Sequence, residues 1–207
     1  MMLQAQINPH FLYNTLNSLI IVANFMHCEN ISNALSSLIR LLRYSIDNYD
    51  NRITVEEEIT YLQDYVALNN LRYKNRIKFL VDIDENILQE HIIKFLHQPI
   101  LENAVQHGLP DDLSKQGRII IRAWKEPEIL MLEVEDNGSG MTPEEMETVL
   151  KKKEPDRGTF NGIGIPNVNE RIHLLFGADY GLHYESRLKE YTKAIYRLPV
   201  VTGGGET

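Results

Sequence analysis

The sequence has a single cysteine and few basic residues, and each shortage excludes a class of protein. Cys28 has no second cysteine to pair with, so an internal disulfide cannot form and a reducing compartment such as the cytosol fits best. Lysine and arginine total 21 against 29 aspartate and glutamate residues, which gives a net charge of -8. Binding to nucleic acid or to an anionic membrane usually requires a basic face, so we expect neither as a partner.

Charged side chains are missing from residues 1–28, as they are from membrane-spanning helices. The same segment is rich in amide and hydroxyl groups, which the hydrocarbon core of a bilayer would leave without partners. It also lacks the basic flank and compact apolar block of a signal peptide. With 43% hydrophobic and 24% charged residues, the chain has the composition of an ordinary globular protein, and we predict that it is soluble.

Apolar side chains recur every three or four residues in two segments near the N-terminus, which is the spacing of an amphipathic helix. The first segment covers residues 3–26 and the second runs from about Ser32 to Asp47. Two helices joined by so short a link form an antiparallel hairpin. Because a hairpin cannot enclose a core alone, we predict that residues 1–50 form a homodimeric four-helix bundle.

The first of these helices contains a histidine that follows a proline and has several amide side chains nearby. His10 follows Pro9, and amide side chains lie about one helical turn or two away at Gln6, Asn14 and Asn17. Proline removes a backbone donor and crowds the preceding turn, so the helix should kink or begin beside His10. Such an arrangement is costly for packing alone, and it indicates that the imidazole is used chemically.

Residues 51–207 alternate between helix and strand patterns and are predicted to form a second domain. Asn48–Arg52 is polar and turn-like and marks the boundary between the two domains. Thr54 and Glu57 have the spacing of a capping box at the start of a helix that ends near Tyr73. Further helices are predicted over 92–107, 143–151 and 161–176, and strands over 77–83, 118–124, 129–135, 181–187 and 193–200.

A glycine-containing run directly follows one of these strands. Asp136 at the strand end can accept a hydrogen bond deep in a pocket, while Gly138 and Gly140 allow the backbone to approach a flat ligand. The same run is also typical of a tight turn with no ligand. Taken alone, this motif does not distinguish between the two interpretations.

Two further motifs are equally ambiguous when each is taken alone. Asn103 and His107 share one helix face, where a carboxamide suits Mg2+ and an imidazole suits a phosphate oxygen. They could equally be a hydrogen-bonded core asparagine and a surface histidine beside Gly108. Gly162 and Gly164 open a helix whose free amides favour phosphate, and the same glycines are also typical of a loop that only requires conformational freedom.

The order of these motifs is more specific than any one of them, because together they build one ATP pocket. Residues 95–108 resemble the asparagine box of the GHKL ATP-binding fold, and 136–141 and 162–171 resemble its two glycine boxes. Residues 6–14, with the sequence Gln-Ile-Asn-Pro-His-Phe-Leu-Tyr-Asn, resemble the histidine box of LytS/YesM-type sensor histidine kinases. The resemblance covers essentially the entire chain. It implies an α+β fold in which the helical hairpin precedes a two-layer α/β sandwich.

The resemblance also implies a role for each motif residue in binding Mg-ATP. Asn103 would hold Mg2+, and Glu102 beside it would support the metal or handle a proton. Asp136 would accept a hydrogen bond from the adenine amino group, and Thr192 would lie near the base. A lid over 142–161 would close on the nucleotide. The implied cofactor-binding residues are Asn103, His107, Asp136, Gly138, Gly140, Gly162, Gly164 and Thr192.

Two positions depart from related families. Phe11 follows His10, where the commonest histidine kinases have an acidic residue, so the group that takes the imidazole proton is open; Glu102 is a candidate, and Asn14 is placed to orient the ring. Pro99 stands where gyrase-type and MutL-type ATPases have a water-activating glutamate. This second departure disfavours hydrolysis and favours transfer to a protein group.

The implied function is therefore ATP-dependent phosphorylation of His10 followed by transfer to an aspartate of a response-regulator receiver domain. The alternatives are a nucleotide-binding pseudokinase or interaction module and a GHKL-type ATPase. Family members usually carry membrane and sensor segments ahead of the histidine box. We expect this chain to be the cytoplasmic part of a longer protein in the bacterial cell membrane, attached only through segments that this sequence does not contain.

Overall fold

The computed structural model describes residues 8–46, 52–107, 116–151 and 164–200. Its helices and strands are α1 (Pro9–Phe25), α2 (Glu29–Ile46), β1 (Arg52–Thr54), α3 (Val55–Arg72), β2 (Ile77–Ile83), β3 (His91–Ile93), α4 (Gln98–His107), β4 (Gly117–Glu126), β5 (Ile129–Asp136), α5 (Pro143–Val149), α6 (Gly164–Phe176), β6 (Gly181–Arg187) and β7 (Tyr191–Pro199). A short 3-10 helix, Glu85–Ile87, lies between β2 and β3. Helices α1 and α2 pack against each other, and a mixed α/β arrangement follows them.

Helix α1 begins beside the histidine, as predicted from the proline. Pro9 is in the first turn, and the Asn8 side chain caps the helix by accepting a hydrogen bond from the His10 backbone N–H at 3.1 Å. Proline is favoured at this position because its missing donor would have no partner in the helix anyway. The part of the predicted helix before Asn8 lies outside the described residues.

The residues after the hairpin contain a five-stranded mixed sheet with the order β2-β4-β5-β7-β6. Strands β2 and β4 are parallel, and the other neighbours are antiparallel. Helices α3, α4 and α6 cover one face and enclose the core. The other face carries ion pairs, such as Arg122 with Glu133 and Glu135. This arrangement is a two-layer α/β sandwich, and with the hairpin it confirms the predicted α+β class.

One predicted helix is only partly correct. The segment 92–107 was predicted as a single helix, but Ile92 and Ile93 pair with β1 as part of β3, and α4 begins only at Gln98. Phe95 between them has a positive φ of 60°, which ends the strand and turns the chain. Two consecutive β-branched residues favour a strand, and an apolar run does not by itself distinguish it from a buried helix.

Polar side chains join α2 to α3. The Arg40 guanidinium donates to both oxygens of Asp64, at 2.6 Å each, and the Ser37 hydroxyl donates to the same carboxylate at 2.8 Å. Asp64 is buried, whereas Arg40 reaches solvent. The hairpin is thus attached to α3 by a two-pronged ion pair of defined geometry.

A second connection, which we call the Glu58 cluster, consists of Tyr44 on α2, Glu58 on α3 and His97 just before α4. The Tyr44 hydroxyl donates to one Glu58 oxygen. The other oxygen lies 3.1 Å from both the backbone nitrogen and the ring Nδ1 of His97. Glu58 is 0% exposed and His97 1% exposed, so these two side chains are closed to water. It connects the hairpin directly to the start of α4.

Candidate functional site

A cavity of about 430 Å³ lies between α4, α5 and α6 on one side and the ends of β5, β6 and β7 on the other. Four predicted site residues line it: Asn103, Asp136, Gly140 and Thr192. They come from α4, the end of β5, the following loop and β7. The fold therefore brings together residues that are as many as about ninety positions apart in the chain.

The strand register explains why Asp136 and Thr192 meet. Asp136 on β5 is the direct partner of Thr192 on β7, and Thr192 is in turn the partner of Ser186 on β6. The neighbouring row across the same three strands consists of Val134, Ala194 and Tyr184. Side chains two residues apart on a strand share a face, so both rows point to the same side of the sheet.

Asp136 is 8% exposed and is held by backbone donors. One carboxylate oxygen accepts a hydrogen bond from the Gly138 N–H at 3.0 Å, and the Thr192 N–H also bonds to the carboxylate. Burial raises the pKa of Asp136 to about 6, and the two backbone bonds oppose this increase. A buried carboxylate in the wall of a cavity is a selective acceptor for a ligand N–H group.

The loop after Asp136 packs against the turn between β6 and β7. Gly140 has a φ of 64°, and a Cβ on it would lie 2.1 Å from the carbonyl oxygen of Arg187. The Ser139 carbonyl accepts a hydrogen bond from the Lys189 N–H at 2.6 Å. Gly140 is thus required by close backbone contact. Gly138 contributes its N–H to Asp136.

Helix α4 presents neighbouring residues to different surroundings. Asn103 lines the cavity, and its side chain makes no hydrogen bond to other described residues. Glu102 instead accepts a hydrogen bond from the Gln98 side chain at 2.8 Å and lies toward α3. Burial raises the pKa of Tyr65 on α3, and the charge of Glu102 raises it further. The structure does not bring Glu102 to the cavity. His107 ends α4, and its side chain lies outside the described residues.

The beginning of α6 contacts the beginning of α4. A Cβ on Gly164 would lie 2.9 Å from the Cβ of Pro99, so these two residues hold the helix ends together closely. The adjacent Ile165 lines the cavity. Gly162 lies outside the described residues. Of the predicted lid over 142–161, α5 is described, and Thr148, Val149 and Lys151 contribute to the cavity wall.

His10 lies on the hairpin and is exposed. The amide nitrogen of Asn14, one turn later, lies 3.3 Å from its Nδ1 and 3.2 Å from its Nε2. The first turn of α1 contains no acidic residue. The exposed imidazole of His10 is accessible enough to accept a phosphate group. No carboxylate in the same helix turn is available to take the imidazole proton.

Sequence reasoning missed Tyr184, which also lines the cavity. Its hydroxyl oxygen is buried and has no hydrogen-bond partner among the described residues. The signal was present in the strand alternation, because Leu182, Tyr184 and Ser186 share one face and Leu182 is core. A tyrosine that follows a core leucine by two positions is thereby placed on the inner face.

Comparison with known proteins agrees with this geometry. The histidine kinase family model matches residues 1–77. The model of the histidine kinase-, DNA gyrase B- and HSP90-like ATPases matches residues 89–202, more than half of the chain. The chain belongs to the sensor histidine kinase family. Membership confirms the predicted resemblance and implies an ATP-binding domain over the matched residues.

Relatives of this sensor histidine kinase chain are longer than the chain itself. It is 37% identical to the sensor histidine kinase YesM of Bacillus subtilis over 197 residues, which covers 95% of the chain and 32% of YesM. It is 31% identical to the sensor histidine kinase BtsS of Escherichia coli, covering 96% of the chain and 33% of BtsS. The chain thus spans about a third of the length of these curated relatives.

Solved structures of similar fold are also histidine kinases. The catalytic domain of histidine kinase ThkA matches with a TM-score of 0.54 and 19% identity, covering 73% of this chain and 97% of that domain. The histidine kinase domain of the Erythrobacter litoralis blue-light activated kinase EL346 matches with a TM-score of 0.53 and 16% identity, covering 93% and 94%. At this identity, the matches show the shared fold.

Within the described residues, no helix is long and apolar enough to cross a membrane.

Proposed function

We propose that this chain binds Mg-ATP in the cavity, transfers the γ-phosphoryl group to His10 and then passes it to an aspartate of a response-regulator receiver domain. The observation that supports this most directly is the convergence of Asn103, Asp136 and Thr192 in one cavity of about 430 Å³. A carboxylate for the base lies at one position and a carboxamide for the metal at another. This arrangement suits a nucleotide, which has a hydrogen-bonding base and a metal-binding phosphate chain.

The cavity fits Mg2+ through Asn103 and the nucleotide phosphates. The carboxamide oxygen of Asn103 is a suitable ligand for a hard cation and is not used in any hydrogen bond to other described residues. The described ranges contain no group of three or more His, Cys, Asp or Glu side chains that could hold a metal ion. The phosphates would therefore complete the shell together with water. The bound ion would neutralise phosphate charge during phosphoryl transfer.

Adenine would bind at the Asp136 end of the cavity. Its amino group would donate to the buried carboxylate, with Thr192 beside it on the same row of strands. Val134 and Ala194 give this part of the cavity an apolar floor. An apolar slot with one well-placed acceptor is the usual form of a site for a flat heterocycle.

We expect nucleotide affinity to fall as the pH is lowered through about 6, because Asp136 then becomes protonated. A carboxylate accepts an N–H bond more strongly than a neutral carboxyl, so ADP binding should weaken about fivefold between about pH 7.5 and about pH 5. Folding responds in the opposite direction. A carboxyl with a raised folded-state pKa contributes stability at low pH and loses it as the pH rises through about 6.

Calorimetric titration of ADP at the two pH values would measure this effect. The terminal phosphate of ADP titrates in the same range, so the Asp136→Asn variant serves as the control that removes only the protein carboxyl. The wild type should show the larger pH dependence. Equal pH dependence in both proteins would rule out Asp136 as the titrating acceptor.

The hairpin would supply both the phosphoacceptor and the dimer interface. We propose that the hairpin comprises residues 1–50 and the ATP-binding domain residues 51–207. Apolar side chains on the hairpin are exposed, Phe25 at 86%, and a second copy of the chain would cover them. Exposed members of this set are Phe11, Ile21, Val22, Phe25, Met26 and Ile31. Given the greater length of the relatives, we also propose that this part faces the cytoplasm in a longer membrane protein.

Incubation with γ-labelled Mg-ATP tests the proposal. The wild-type chain should acquire label that is stable in base and lost in acid, as expected for a phosphohistidine, and the His10→Gln variant should acquire essentially none. His27→Gln is the matched control, since His27 lies just after the same helix and should leave labelling unchanged. Addition of a receiver domain should remove label from wild-type protein. Labelling of the His10→Gln variant would contradict the proposal.

The same experiment separates the other functions. A binding module would take up nucleotide and never acquire label. A hydrolase would release phosphate steadily in a reaction that Asn103→Ala abolishes and His10→Gln leaves intact. The packing of Pro99 against Gly164, at the position where related hydrolases have a glutamate, argues against hydrolysis.

A further inference from the structure

The turn between β3 and α4, residues 94–97, contains a strained residue. Phe95 has a φ of 60°, in the left-handed region that a side chain disfavours. Phe95 is half-buried, and its neighbours Lys94 and Leu96 are buried. The other non-glycine residues with a positive φ in the described ranges are all exposed: His27, Lys74, Asn75 and Lys189. A strained conformation inside the protein persists only where surrounding contacts impose it, and it is commonly found at functional sites.

Side chains from four other elements impose the conformation of this turn. Each of its residues has a backbone group that is hydrogen-bonded to one of them. The bonds are Arg171 (α6) to the Lys94 carbonyl, the Phe95 N–H to the Tyr44 hydroxyl (α2) at 3.2 Å, the Tyr196 hydroxyl (β7) to the Leu96 carbonyl at 2.9 Å, and the His97 N–H to Glu58 (α3) at 3.1 Å. One of the four, Tyr44, belongs to the hairpin that carries His10.

Tyr44 is the contact that acts on the strained residue itself. Its hydroxyl accepts from the Phe95 N–H and donates to Glu58, so it is used both as an acceptor and as a donor. Burial, and then the Glu58 charge, raise the pKa of Tyr44, so the hydroxyl keeps the proton that it donates. The rings of Tyr44 and Phe95 also meet edge to face, with centroids 4.9 Å apart. The hairpin thus holds Phe95 through backbone and ring contacts.

The turn fixes the start of α4. The His97 carbonyl accepts a hydrogen bond from the Leu101 N–H at 2.8 Å, which joins the turn to the first turn of the helix. Asn103 lies about 9 Å further along the helix axis and lines the cavity. Because a short helix moves as a rigid unit, a displacement of its start also displaces the Asn103 side chain.

We propose that Tyr44 is a positioning residue for the nucleotide site, which holds Phe95 in the left-handed conformation and thereby sets where α4 presents Asn103 to Mg2+. The inference rests on the proposed function and adds a route by which the hairpin acts on the cavity. Without the Tyr44 hydroxyl, the Phe95 N–H loses its acceptor and the residue relaxes toward an ordinary φ. Helix α4 then has two positions, and only one of them presents Asn103 to the metal. Linkage is reciprocal, so Mg-nucleotide in turn favours the docked hairpin.

Nucleotide affinity with and without the metal tests this role. ADP binding is measured by calorimetry in Mg2+ and in EDTA, for the wild-type chain and for Tyr44→Phe, which keeps the ring and removes the hydroxyl. Mg2+ should raise the affinity of the wild type. The variant should bind Mg-ADP about three- to tenfold more weakly, the effect of one lost hydrogen bond, and should bind metal-free ADP as the wild type does. A residue that only stabilises the fold would not produce a loss confined to the metal-bound ligand.

Relief of the strain provides a second test. Glycine adopts a φ of 60° at no steric cost, so in Phe95→Gly the conformation of the turn no longer depends on Tyr44. In that background, Tyr44→Phe should change the affinity for Mg-ADP by less than about twofold. A loss as large as in the wild-type background would overturn the inference.

Ser45→Ala is the matched control. Ser45 is the next residue on α2, is exposed, and donates its hydroxyl to the Leu41 carbonyl of the same helix at 2.9 Å, so this variant should bind ADP as the wild type does. Equal affinity of wild type and Tyr44→Phe for Mg-ADP would overturn the positioning role and leave the proposed function standing, and so would an equal loss with and without Mg2+. Failure of the wild-type chain to bind ADP at all would overturn both.

Discussion

Gly140→Ala is expected to lower the free energy of unfolding by about 3 kcal/mol and to weaken nucleotide binding at least about tenfold. The new Cβ would lie 2.1 Å from the Arg187 carbonyl oxygen and 2.9 Å from the Leu188 Cα, both rigid backbone atoms. The φ of 64° adds strain for any residue with a side chain. Because the loop cannot move without leaving the β6–β7 turn, the wall next to Asp136 must shift.

Urea unfolding and ADP titration measure the two effects. Gly177→Ala is the matched control, because Gly177 also has a positive φ, 93°, but a Cβ there would meet nothing within 4 Å. It should cost only the backbone strain, about 1 kcal/mol, and should leave nucleotide affinity unchanged. If the two variants behaved alike, the close contact of Gly140 with the β6–β7 turn would not control the site.

Glu58→Ala is expected to lower the free energy of unfolding by about 3 to 5 kcal/mol, the largest single effect that we predict. Glu58 is 0% exposed, and the Glu58 cluster gives its carboxyl three donors: the Tyr44 hydroxyl and the backbone and ring nitrogens of His97. Truncation leaves these donors buried without an acceptor and also leaves a cavity.

Glu56→Ala on the same helix provides the control. Glu56 is exposed, and among the described residues its carboxylate accepts only a hydrogen bond from the Gln89 side chain, at 2.8 Å, so its loss should change stability by less than about 0.5 kcal/mol. Comparison by urea unfolding separates burial from charge. A Glu58→Ala protein as stable as Glu56→Ala would show that the cluster does not hold the domain together.

The Glu58 cluster also links the two functional parts of the chain. Tyr44 belongs to α2 of the hairpin that carries His10, while His97 directly precedes α4, which carries Asn103. The Tyr44 ring stacks on Tyr61 with centroids 4.2 Å apart and meets Phe95 edge to face at 4.9 Å. The position of the hairpin relative to α4 is thus defined by both hydrogen bonds and ring packing.

Local signals predicted much of the fold. The capping box at Thr54 and Glu57 is present in the structure, with the Glu57 N–H 3.1 Å from the Thr54 hydroxyl. Proline placed the start of α1 correctly. Where the prediction was wrong, at 92–97, the pairing of β3 with β1 depends on a strand about forty residues earlier, and no local pattern contains that information.

The sequence by itself determined the family and most of the residues that could bind a ligand, because its motifs depend on residue type and short spacing. Asn103 and Asp136 were selected in this way, and Thr192 was carried over from the family resemblance. Only the tertiary structure decided which of the candidates share a cavity, turning Glu102 toward α3 and adding Tyr184 to the cavity wall. The physical reason is that side-chain direction follows from strand register and helix packing, which are set by contacts between segments distant in the chain.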